Sequence, residues 1–148
     1  MISRKSAGIT LVELLIVLSV LAIISGLGYP LYTGYIVKSR RADARIGMQQ
    51  IALAQERYRS VNAIYTSDLR ALKLKGALNA NIDSEDSGQT VSEGGYYALS
   101  VVADDVSYAL TASPVAGSSQ AGDTDCTSLT LSHQGVHGGT GDAPGVCW

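Results

Sequence analysis

The stretch Lys5-Ser6-Ala7-Gly8-Ile9-Thr10-Leu11-Val12-Glu13 constrains this chain more than any other: a short basic leader ends at a glycine, and the apolar segment beyond it carries one carboxylate. From Ile9 to Tyr29 the other side chains are Leu, Ile, Val, Ala and a few small or hydroxyl residues. A helix of that length rises roughly 30 Å, about one bilayer core. A carboxylate inside it costs on the order of 2.5 to 3.5 kcal/mol on insertion scales unless a cation pairs with it. Cleavage after Gly8 would free an α-amino group on Ile9. If identical helices pack side by side, Glu13 of one can meet that amine on the next, and a buried charge then sets register. A Glu13 that stays hydrated near the interface is the alternative on physical grounds alone.

An ordinary secretory signal peptide with small residues at Ser25 and Gly26 would also explain the amino terminus. It would not explain Ala44, Met48, Ile51, Ala54, Tyr58 and Val61, which continue the helical pattern at steps of three and four. One helix from about Thr10 to about Ser60 accounts for both halves, apolar all round in the first and amphipathic in the second. Gly26, Gly28 and Pro30 fall within it. Proline removes a backbone donor and clashes with the preceding turn, so a kink or a meltable stretch is expected there.

Gly8-Ile9-Thr10-Leu11-Val12-Glu13-Leu14 resembles the class III signal of type IV prepilins, with isoleucine where phenylalanine is usual. Pro30 with Tyr29 and Tyr32, Ser39 to Arg45, Glu56-Arg57-Tyr58, Tyr65 and the segment from Cys126 to Cys147-Trp148 resemble the PilE-type minor pilins. The resemblance implies an α+β fold, a long kinked amino-terminal helix packed on a small antiparallel β-sheet. It implies a prepilin peptidase that cuts after Gly8 and methylates Ile9, and unwinding around Gly26, Gly28 and Pro30 in a filament. The implied partners are other pilin subunits, the peptidase and the inner-membrane assembly machinery. The implied location is the bacterial inner membrane as a single-pass protein, then a periplasm-spanning and extracellular pilus.

With 148 residues, the chain divides into a leader (1–8), an apolar half-helix (9–37), an amphipathic half-helix (38–61), a connecting region (62–95) and a sheet with its tail (96–148). Ser67 or Asp68 can cap a short turn from Leu69 to Leu74, and Asp83 to Gly95 reads as loop. Tyr97, Leu99 and Val101, then Val106, Tyr108, Leu110 and Ala112, and finally Leu129 and Leu131 alternate with period two, giving three strands of a meander, with a fourth left open. Asp104-Asp105 marks a hairpin. In an exported domain, Cys126 and Cys147 form a disulfide whose loop of about twenty residues is worth roughly 3 kcal/mol. Trp148 would plug the core edge beside it or anchor a partner.

The net charge is −2, unevenly spread. Lys38, Arg40, Arg41, Arg45, Arg57 and Arg59 face only Asp43 and Glu56, whereas from Ser60 onward three basic residues stand against ten acidic ones, a difference of −7. The basic band is a solvated helix face with local pairs such as Asp43 with Arg40 or Arg41, or a contact for anionic lipid or acidic neighbours. The acidic head argues against direct nucleic-acid binding, because phosphate contacts need Lys and Arg on the accessible surface. No nucleophile elbow, phosphate loop or paired-cysteine zinc spacing occurs. His133 and His137 are separated by glycine, and Asp123 with Asp125 offers calcium too few ligands, so neither metal nor cofactor is expected. The chain therefore reads as a structural minor pilin, not an enzyme. It would support filament assembly and hence twitching motility, adhesion or DNA uptake. A type II secretion pseudopilin and a DNA-binding uptake receptor pilin are the alternatives.

Overall fold

A computed structural model of the protein describes residues 10–83 and 85–148, leaving aside the side chains of 27–31. Two compact units result, divided between Ile36 and Val37. Helix α1 runs from Leu11 to Asn62 and continues without interruption through Gly26, Gly28 and Pro30. Its start follows from sequence: the Thr10 hydroxyl accepts the Glu13 N–H at 3.2 Å, and Leu14 N–H bonds the Thr10 carbonyl. A side-chain cap of this kind satisfies one of the donors that a helix start leaves open, and an acidic residue in the first turn suits the helix dipole.

In the first unit the described residues from Leu11 to Gly26 are all exposed. Within this unit no described residue buries this surface. The run rises about 24 Å at 1.5 Å per residue, and among the described residues no helix is long and apolar enough to cross a membrane.

Among the described residues the buried ones all lie in the second unit, 37–148. On α1 the buried positions Ala44, Met48, Ile51 and Ala54 share one face with Arg41 and Gln55, the spacing that brings side chains onto one side of a helix. Tyr58 is half-buried at its edge. Val61, expected on the same stripe, is 83% exposed on the last turn of the helix, beyond the core. Gly47 lets the helix approach the sheet, since a Cβ there would stand 2.6 Å from Leu99 Cδ1.

The sheet is an antiparallel meander of five strands in chain order: β1 Gln89–Val91, β2 Tyr97–Ala103, β3 Tyr108–Pro114, β4 Ser128–Ser132 and β5 His137–Thr140. Tyr97, Leu99, Val101, Tyr108, Leu110, Ala112, Leu129 and Leu131 form its buried face, as period-two alternation requires. Val106 instead lies in the β2–β3 turn and is exposed. The Asp104 carboxylate organises that turn by accepting from the Val106 and Ser107 N–H groups and the Ser107 hydroxyl. In the connecting region Asp68 accepts the Arg70 N–H and opens a hydrogen-bonded turn over 69–73, followed by a short helix α2, Ala77–Ala80, that buries Leu78. Two strands arise where loop or tail was expected. β1 is three residues long, and β5 contains two glycines whose absent side chains leave no alternation to read.

Candidate functional site

The segment expected to direct assembly is reached only in part. Gly8 and Ile9 lie outside the described residues. Glu13 is exposed in the first turn of α1, with Leu11, Val12, Leu14 and Leu15 exposed around it. Apolar surface of this extent on one element marks a protein or membrane contact.

The head, 37–148, is tied together by a buried ion pair that sequence reasoning did not anticipate. Arg41, 2% exposed, donates through Nε and Nη2 to the two Asp123 oxygens at 2.7 and 2.6 Å, and through Nη1 to the Val146 carbonyl at 3.1 Å. Gln120 Nε2 donates to the same carboxylate and to the Tyr97 hydroxyl. Hydrogen bonding to the Asp123 carboxylate raises the Arg41 pKa above its usual range, and burial raises that of Tyr97. The local pairing expected within the helix does not form. Asp43 accepts the Gly94 N–H, and Arg40 lies over the Tyr96 ring at 4.6 Å. Asp123 is therefore engaged as a structural partner, while Asp125 stands 3.8 Å from Arg41 and is largely exposed.

The tail packs on this network. Cys126 and Cys147 are joined, with Cα atoms 5.4 Å apart. The bridge lies over Gly139, where a Cβ would meet Cys147 Sγ at 2.5 Å, which accounts for a glycine in mid-strand. Trp148 is half-buried, its indole N–H donating to the Gly138 carbonyl and its ring 4.9 Å from that of His137. His133 sits instead beside Tyr65 and Tyr108, each ring centroid 6.3 Å away. Among the described residues no group of three His, Cys, Asp or Glu side chains could hold a metal.

Folding also redistributes the charge. Two of the three cations beyond Ser60, Lys73 and Lys75, join Arg57 of α1 around one groove of about 360 Å³, whose lining also includes Gln50, Leu53 and Glu93. All three are exposed, and among the described residues none forms an ion pair. A second groove of about 480 Å³ shares Arg57 and Lys73 and has apolar walls from Ala54, Tyr58, Val61 and Leu72. Three exposed cations against one carboxylate, Glu93, leave the first groove net positive, which suits an anionic partner.

A long amino-terminal helix whose second half packs on a small antiparallel sheet, closed by a carboxy-terminal disulfide, is the type IV pilin fold. Residues 3–29 match the prokaryotic N-terminal methylation motif, and residues 30–130 match the model described as type IV minor pilin ComP, DNA uptake sequence receptor. The chain belongs to that ComP family of type IV minor pilins. It is a structural subunit of a type IV pilus, and membership implies association with other pilins and with the assembly machinery. The methylation motif implies a membrane-anchored form that precedes the pilus. No curated protein matches the chain.

Proposed function

We propose that this subunit is held as a single-pass inner-membrane protein, cut after Gly8 by the prepilin peptidase, methylated at Ile9, and drawn into a pilus that takes up DNA. Glu13 then pairs with the Ile9 amine of a neighbour, and the stretch around Gly26, Gly28 and Pro30 kinks or melts as the helices pack. The observation that carries this reading is the uncovered apolar surface from Leu11 to Gly26 with one carboxylate in its first turn. Such a surface needs lipid or other helices, and the carboxylate needs an amine once water is gone. The head contributes binding rather than chemistry, so the protein is the substrate of an enzyme and not one itself.

A second reading, favoured by the groove, is that the head touches DNA directly. The acidic balance after Ser60 argues against this, but it is an average, whereas Arg57, Lys73 and Lys75 meet at one place. Three phosphate contacts should give a slope of log affinity against log salt of about −2.7 on duplex DNA. Fluorescence anisotropy of the head, residues 37–148, across a salt series tests it. Joint replacement of Arg57, Lys73 and Lys75 by Gln should remove binding and flatten the slope. Binding that survives this variant, or no binding even at low salt, refutes the DNA reading.

A further inference from the structure

Two exposed features of the head remain without a role in the fold. Among its exposed apolar side chains are Val61, at 83%, beside the second groove, and Val102 and Val106, at 73% and 69%, on the β2–β3 hairpin. Between the two hairpin valines lie Asp104 and Asp105. Asp104 uses both oxygens to hold its own turn. Asp105 is exposed and has no hydrogen-bond or ion-pair partner among the described residues. The hairpin thus offers one free carboxylate flanked by two valines, and the groove offers Arg57 and Lys73 above apolar walls.

We infer that the β2–β3 hairpin of a second copy of this chain docks in the groove, with Val106 against Val61 and Leu72, and Asp105 against Lys73 and Arg57. Charge complementarity selects this occupant, and apolar contact supplies the attraction that salt does not screen. The acidic turn at 83–86 is a poorer match. Asp83 and Asp86 accept hydrogen bonds within their own loop, and no large exposed apolar side chain stands beside them. Because hairpin and groove are different patches, the contact is heterologous and each docked head keeps a free hairpin or a free groove. Its regulatory consequence rests on the DNA reading above: a docked hairpin covers Arg57 and Lys73, so DNA and a neighbouring head exclude one another.

The head, which contains the buried core, the disulfide and the Arg41–Asp123 pair, is the fragment to test. Sedimentation velocity over a concentration series should reveal self-association that weakens as salt is raised. Asp105→Lys and Lys73→Glu should each weaken it about fivefold, and a mixture of the two variants should recover it, since a Lys at 105 then meets a Glu at 73. Heads that stay monomeric at millimolar concentration, or a mixture that fails to recover, overturn the inference. DNA binding measured in parallel keeps the two ideas apart. DNA binding without self-association sinks the docking and leaves the DNA reading, and self-association without DNA binding does the reverse.

Discussion

The buried Arg41 offers the sharpest test of how the head is held. Replacing it with Met keeps the apolar stem and removes three hydrogen bonds, two to Asp123 and one to the Val146 carbonyl. Asp123, itself 8% exposed, is then left with Gln120 and no cation. Breaking a buried pair by removing one partner costs about 3 to 5 kcal/mol, because the surviving charge stays desolvated. Against a typical total of roughly 5 to 15 kcal/mol this would bring the head close to unfolding. Removing both charges as Arg41→Met with Asp123→Leu should restore most of the loss, since an ion pair exchanged for apolar groups of similar volume is often neutral. Urea titration of residues 37–148 with the disulfide intact reads both outcomes. If Arg41→Met costs under about 1 kcal/mol, or the double variant is no more stable than the single one, the pair is not what joins α1 to the tail.

Cys126→Ser should cost about 3 kcal/mol in the chain-entropy model for a separation of 21 residues, and hydrogen exchange should quicken first around Trp148. Burial pushes the Tyr108 hydroxyl up to about 12; the folded state therefore holds this proton more tightly than the unfolded chain, whose tyrosines titrate near 10. The resulting stabilisation should be complete below about pH 10 and lost as pH rises through about 12, with Tyr108→Phe removing that part of the alkaline transition in denaturation curves. Glu13→Gln should leave membrane insertion and processing intact but lower copurification with other pilins; undiminished copurification would show that the carboxylate is merely tolerated.

What the sequence discloses follows the strength of its periodicity. The Ala44 to Ala54 stripe and the alternation through β2, β3 and β4 are long enough to name their buried faces, and the structure buries those residues. β5 leaves no such trace, because the glycine at 139 is set by Cys147, a residue eight positions further on that folding lays over the strand. Arg41 looked like one more cation in a basic band because its partner lies 82 residues away, and no local spacing encodes that contact. Lys73 and Lys75 were likewise lost in a sum over an acidic region until the turn at 69–73 carried them to Arg57. The stretch from Gly8 to Glu13 is the opposite case: the methylation motif matched over residues 3–29 is linear and needs no folded contact to be read.

Intact-mass measurement of the protein recovered from sheared surface filaments tests the central claim most directly. We predict a mature species that begins at Ile9, is heavier by one methyl group, and is absent when Gly8 is replaced by Arg. Absence of the protein from the filaments, or a chain cut near Gly26, would contradict the account.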